Sequence, residues 1–378
     1  MSKVSVITLH TVSNYGSCLQ SYATQRIIEK LGYECELVDY WRGNNTLEAQ
    51  ANRSLEDGWL RRLAPLWRVQ AFRSLAERKL VERVARFSRP FGDFCVDRLH
   101  LTRRFLSEAD LEVNPPRADV YLTGSDQVWN SDWNEGFEDP YFLAWAPEGA
   151  RRVAWAASIG RESLDEWEIA PMREALAKYD AISLREASGV ELVRRLGFLD
   201  AKLVLDPTLM LTRDDWAEIA TKPMEADGQY ILVYQLNEGD AFSSYAKTAS
   251  DHCGLPIVKL CYRPRDAMKG AVNVVAPAVT DFLGLFLKAS YVVTDSFHAT
   301  AFSLNLGIPF VAVPPPRFST RIESVLALTG TERRLVADFE DLCLLDETID
   351  FDDVSERLSQ ARGETLEFLK KALNGPNL

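Results

Sequence analysis

The groups best able to do chemistry in this chain are concentrated in five consecutive residues, Thr294-Asp295-Ser296-Phe297-His298. They close an apolar, β-branched run that suits a buried parallel strand, and an apolar helical stretch follows until Gly307 and Pro309 stop it. Polar and titratable side chains therefore sit where a strand hands over to a helix N-terminus, the place at which open α/β sheets bind ligands. Helix amides there favour an anion, and His298 is the side chain suited to exchange a proton near neutral pH. The corner reads as an acid/base centre for an anionic substrate. The plainer alternative is a histidine that caps its helix or packs in a seam between domains. Asp295 and Ser296 also admit two readings. Asp295 orients the imidazole and Ser296 offers its hydroxyl to a phosphate, or each is an ordinary N-cap.

Other polar groups stand at similar strand ends. Arg185 follows the strand expected at 181–184, and its plain reading is a surface arginine paired with Glu186. Arg317 and Arg321 come after Pro314-Pro315-Pro316, within loop reach of His298, and a guanidinium fork suits phosphate. Gly124-Ser125-Asp126-Gln127 follows a strand, and its glycine permits close approach of backbone to a ligand. Asn14-Tyr15-Gly16-Ser17 opens the first helix as ligand contact or simple cap. Trp129 and Trp133 are sugar-stacking platforms or core. Asp206, before Pro207, reads as a turn or linker residue.

These residues require an alternating frame. A strand at 3–9, a loop, a helix with Leu19, Tyr22, Ala23, Ile27 and Leu31 on one face, and a strand at 35–40 make a Rossmann-like opening. Residues 41–104 interrupt it with Arg-rich helical sequence, 14 Arg/Lys against 7 Asp/Glu, in which Val69, Phe72, Ala76, Leu80, Val84 and Phe87 form an apolar stripe. Strands then follow at 119–123, 152–157, 181–184 and 202–205, with helices at 165–178 and 187–196. A second unit has strands at 230–234, 256–260, 273–275, 291–294 and 310–313, with helices near 280–288 and 320–328, and 354–373 is amphipathic. The expected fold class is α/β: two Rossmann-like domains facing a cleft, with an Arg-rich helical insertion in the first. The expected boundaries are 1–212 with the insertion at about 41–104, then 213–350, then a C-terminal helix at 351–378.

Composition narrows the function classes. An apolar content of 47% over 378 residues excludes disorder, and a net charge of −12 argues against a nucleic-acid partner. Six cysteines (Cys18, Cys35, Cys95, Cys253, Cys261 and Cys343) show no CxxC spacing, and no leader pattern opens the chain, so reduced cytoplasmic thiols are expected. No apolar run reaches the ~20 residues of a membrane span. The basic segment 41–104, with Trp59 and Trp67, is either a solvated helix or a peripheral contact with anionic lipid at the inner membrane face.

Taken together, several stretches resemble the polysaccharide pyruvyl transferase family. They are Asn14 to Ala23, Gly124 to Asn130 with Ala156 to Gly160, Ile182 to Ser188, Leu205 to Thr208, and the Asp295–His298 corner, in order along the chain. The resemblance implies a GT-B-like fold and a reaction in which phosphoenolpyruvate, as co-substrate, becomes a pyruvate ketal across two sugar hydroxyls. No cofactor or metal is implied. His298 and Asp295 would be catalytic, and Arg185, Ser296, Arg317 and Arg321 would hold the donor. Asn14, Gly16, Gly124, Ser125, Asp126 and Gln127 would contact the acceptor, a sugar or a lipid-linked oligosaccharide. Ketal-forming members carry an arginine two residues before the histidine, where this chain has Ser296, so Arg317 or Arg321 would have to replace it. The competing readings are a GT-B glycosyltransferase with a nucleotide-sugar donor and a non-catalytic glycan-binding protein. A hydrolase on Ser296 and His298 lacks the G-x-S-x-G elbow.

Overall fold

Strands and helices alternate through two parallel sheets in a computed structural model that describes residues 1–50, 70–221, 228–336 and 338–375. The first sheet contains β1 (Lys3–Ile7), β2 (Glu34–Tyr40), β3 (Leu101–Phe105), β4 (Val120–Thr123), β5 (Arg151–Ala157), β6 (Ala181–Leu184) and β7 (Lys202–Leu203). Its order is β3-β2-β1-β4-β5-β6-β7. The second contains β8 (Ile231–Tyr234), β9 (Ile257–Cys261), β10 (Val272–Val275), β11 (Tyr291–Thr294) and β12 (Phe310–Ala312), ordered β10-β9-β8-β11-β12. Neighbouring strands pair in parallel, with Val4 opposite Val120 and Thr294 opposite Tyr234. Parallel pairing sends all the strand C-termini of a sheet to one edge. The loops after β1, β4, β8, β9, β11 and β12 accordingly line one cleft.

Six helices matter for the site: α1 (Tyr15–Lys30), α2 (Gln70–Arg98), α3 (Asp240–Cys253), α4 (Phe297–Leu306), α5 (Thr320–Thr329) and α6 (Phe351–Asn374). α1 starts at Asn14, whose Oδ1 accepts from the amides of Gly16 and Ser17 at 2.8 and 3.3 Å. Most of its side chains are buried, because it is wedged between the sheets rather than laid on a surface. Tyr15 stacks on Phe282 of the second domain at 4.5 Å, and its hydroxyl donates to the carbonyl of Pro277 at 2.9 Å. One apolar cluster consequently runs from Val4 through Phe282 to Leu373. α6 returns to the first domain, where the Thr365 hydroxyl accepts from the Leu205 amide at 3.1 Å and Arg362 donates to the Leu209 carbonyl at 2.7 Å.

Besides several short helices, such as Glu108–Val113 and Arg213–Ile219, the frame differs from the sequence expectation in two larger elements. The basic segment was expected to be helical throughout, but α2 ends at Arg98 and β3 follows. β3 is an edge strand, where exposed Arg103 and Arg104 are tolerated and hide the strand from a reading based on apolar runs. α3 was not anticipated, although Phe242, Tyr245, Ala246 and Ala249 bury one face of it at helical spacing. Trp59, Trp67 and Val69 lie outside the described residues. No described helix is long and apolar enough to cross a membrane.

Candidate active site

The cleft between the sheets has a volume of about 1220 Å³. The β11–α4 corner reaches it from the second domain. Ser296 caps α4, its hydroxyl accepting from the Ala299 amide at 3.4 Å, and so places His298 in the first helical turn. The imidazole meets α1 at Gly16. A Cβ added there would lie 2.0 Å from His298 Nδ1, so only glycine lets the ring approach this closely. Gly16 is thus the seat of the histidine.

Behind the imidazole lies a buried ionic hub. Arg185, at the end of β6 with a fully buried side chain, donates from Nη1 to Asp206 at 2.7 Å and from Nη2 to Asp126 at 3.1 Å. Asp206 Oδ2 also accepts from the Ser125 hydroxyl at 2.7 Å, and Oδ1 accepts from the amide and hydroxyl of Thr208 at 2.9 and 2.6 Å. The same Oδ2 lies 4.0 Å from His298 Nε2. Asp126 adopts φ 76°, a left-handed conformation that costs a non-glycine residue on the order of 1 kcal/mol. Its carboxylate accepts from the Ser17 hydroxyl at 2.5 Å and from Arg185.

Charge follows from this packing. Burial pushes the His298 pKa down to about 4 against the pull of Asp206 and Asp126, so the ring is neutral at pH 7. Burial is the largest influence and opposes the Asp206 charge, but Arg185, His298 and Thr208 together outweigh it and hold that carboxyl at about 2. Arg321, in the first turn of α5, is pushed down to about 10, first by burial and then by Arg185. Its guanidinium and that of Arg185 lie 5.9 and 4.6 Å from the Phe297 ring centre. Among the described residues, His298 Nε2, Arg321 Nε and Arg185 Nε are all buried without a hydrogen-bond partner. Unsatisfied buried polar atoms are costly. Of these three residues His298 and Arg321 line the cleft, where a ligand can complete their bonding, whereas Arg185 Nε lies 4.0 Å from the Glu186 carboxylate.

Several expected roles are relocated. Asp295 does not orient the imidazole. Both its oxygens are committed to the 236–237 loop, accepting from the Leu236 amide at 2.7 Å and the Asn237 amide at 2.8 Å. Arg185 is neither a surface residue nor part of the cleft lining, because both terminal nitrogens are spent on carboxylates. Arg317 stands on the rim and pairs with Asp132 at 2.5 Å, whereas Arg321 turns inward. Ser296 lines the cleft, but its hydroxyl is engaged as the helix cap and has no bond to His298. Gly124 packs on Thr8, where a Cβ would meet Thr8 Cβ at 3.0 Å, and Ser125 serves Asp206. Asn14, Asp126 and Gln127 do line the cleft. Trp129 is core, stacked on Phe142, while Trp133 is 44% exposed at the cleft.

The residue that sequence reasoning missed is Asp206. A carboxylate before Pro207 looks like a turn device, and its cap on Thr208 is that device. Its second oxygen has a different task, which depends on Arg185, 21 residues earlier, folding back beneath it.

The family model described as polysaccharide pyruvyl transferase matches residues 14–315. No curated protein matches the sequence significantly. Among solved structures, the UDP-N-acetylglucosamine 2-epimerase from Rickettsia bellii is similar at 12% identity and a TM-score of 0.55, covering 99% of this chain and 97% of that one. The S. aureus MnaA structure with UDP is similar at 12% identity and 0.51, with the same coverage. These likenesses establish the GT-B-like two-domain fold.

Proposed function

Since the chain belongs to the polysaccharide pyruvyl transferase family, we propose that it moves the enolpyruvyl group of phosphoenolpyruvate onto two hydroxyls of a sugar. That sugar belongs to a surface polysaccharide or its lipid-linked precursor, and the product is a pyruvate ketal. One observation carries this reading: two buried nitrogens without partners, His298 Nε2 and Arg321 Nε, belong to residues that line the cleft close to the same Phe297 ring. A proton carrier and a bare cation are what an acid-catalysed addition to an anionic enol ester needs.

Arg321 takes an anionic group of the donor, in place of the arginine that family members carry where Ser296 stands. The arriving negative charge favours the imidazolium of His298, which gives its proton to the methylene carbon and leaves an oxocarbenium-like carbon. A sugar hydroxyl adds to that carbon and returns its proton to His298. A second hydroxyl of the same sugar displaces the phosphate, and its proton leaves as part of hydrogen phosphate. Asp206 and Arg185 are positioning residues. Asp206 faces the imidazolium as it forms, and Arg185 keeps Asp206 ionised. The Nδ2 of Asn14, the Nε2 of Gln127 and the face of Trp133 are offered to the acceptor.

Calorimetry with phosphoenolpyruvate and with UDP-sugars tests the reading on wild type, Arg321→Ala and Arg317→Ala. Phosphoenolpyruvate should bind, lose about 10–100-fold in affinity in Arg321→Ala, and lose less than about twofold in the rim variant. Binding of a UDP-sugar with no response to phosphoenolpyruvate, even with a mixed glycan pool present, would instead make the chain a glycosyltransferase.

A further inference from the structure

The cleft is larger than the ~300–1,000 Å³ that small ligands usually occupy, and it carries cations that the chemistry above does not use. Arg83 reaches it from α2, and Arg263 and Arg265 reach it from the loop after β9. Among the described residues, the guanidinium groups of Arg83 and Arg263 have no hydrogen bond or ion pair. The sole acid touching the group among the described residues is Asp266, 3.7 Å from Arg265, and its other oxygen already accepts from the Arg263 amide at 2.8 Å. Arg263 is half-buried, and its pKa is held below the ordinary value first by burial and then by the like charges of Arg265 and Arg83. Deeper in the same wall, Lys259 is only 6% exposed and, among the described residues, its ammonium has a single hydrogen bond, to neutral Gln235 Oε1 at 3.0 Å. Like charges gathered from two domains with one carboxylate, Asp266, beside them are unfavourable in the empty cleft. An anion that spans them removes the penalty.

We infer that Arg83, Arg263 and Arg265 form a second anion subsite, which holds the diphosphate ester carrying the acceptor sugar. The inference rests on the pyruvyl-transfer reading for the identity of that ester, but not for the existence of the subsite. The arginines come from both sides of the cleft, so a diphosphate seated there ties α2 to the second domain and orients its sugar along the cleft. Glu238 and Asp240 also line the cleft and disfavour a larger polyanion.

Inorganic pyrophosphate is the probe. Calorimetry on the full chain should show pyrophosphate binding that weakens about tenfold in Arg263→Gln and in Arg83→Gln, and falls steeply with added salt. Arg83 is exposed on α2, so its variant is informative even if the loop variant misfolds. Phosphoenolpyruvate affinity should show the opposite dependence, lost in Arg321→Gln and kept in Arg263→Gln. Displacement of pyrophosphate by a short-chain prenyl diphosphate sugar identifies a lipid source for the ester, and displacement by UDP-sugar identifies a nucleotide source. The subsite is refuted if pyrophosphate binds equally well to both arginine variants, or if neither diphosphate ester displaces it. Failure of phosphoenolpyruvate to bind wild type, with pyrophosphate behaving as expected, would overturn the donor assignment alone.

Discussion

Substituting Gly16 by alanine tests the arrangement of the site with a single methyl group. The new Cβ would start 2.0 Å from His298 Nδ1 and 2.2 Å from Cγ, whereas ordinary contact begins at 3.4 Å. The ring or α1 must therefore yield by about 1.4 Å. A shift of about 1 Å in a reacting group costs on the order of 100-fold in rate. Stability should move much less. Overpacking costs about 1–3 kcal/mol, and the better helix propensity of alanine returns up to about 1 kcal/mol. The assay is phosphate release from phosphoenolpyruvate with an acceptor pool, run beside urea unfolding, for Gly16→Ala, His298→Ala and the double variant. Gly16→Ala should lose about 100-fold in kcat/KM, and nothing further in the His298→Ala background, because the methyl acts through the ring. A Gly16→Ala enzyme within threefold of wild type would refute the seating of the imidazole on α1. So would equal losses with and without His298.

Two more predictions follow from the buried charges. His298 is held at about 4 when folded, against 6.5 ordinarily, so the unfolded chain takes up its proton first as pH falls. Stability from this group is complete above pH 6.5 and declines by about 3 kcal/mol between pH 6.5 and 4. His298→Gln should flatten that slope in urea unfolding, and superimposable pH profiles would contradict the burial argument. Asp206→Asn removes the nearest carboxylate from Arg185 in a dry site, leaving Asp126 and the more distant Glu186, and should cost about 3–5 kcal/mol. A loss under about 1 kcal/mol would show that water reaches the hub.

Much of the frame was legible because it depends on local pattern. The β-branched runs before Thr123, Leu184 and Thr294 become strands in parallel sheets, and Gly307 ends α4 in a left-handed conformation at φ 65°. Elements whose pattern conflicts with their environment were hidden. β3 carries two arginines because an edge strand exposes them, and α1 looks like a one-faced helix yet is buried on most sides by the second domain.

The site divides along the same line. Residue types at strand ends marked His298, Asp126, Arg185 and Arg321 as chemical groups, because parallel topology forces such ends together. Which group meets which was decided by the tertiary structure. Asp295 and His298 are three residues apart and do different jobs, since the strand-to-helix turn sends one carboxylate to the 236–237 loop and the imidazole to Gly16. Arg317 and Arg321 are equivalent in sequence, yet the start of α5 directs the first to Asp132 on the rim and the second into the cleft. Local sequence sets what a residue is able to do. Its partners come from chain segments up to hundreds of residues away, and only closure of the two domains fixes the distances on which charge and proton transfer depend.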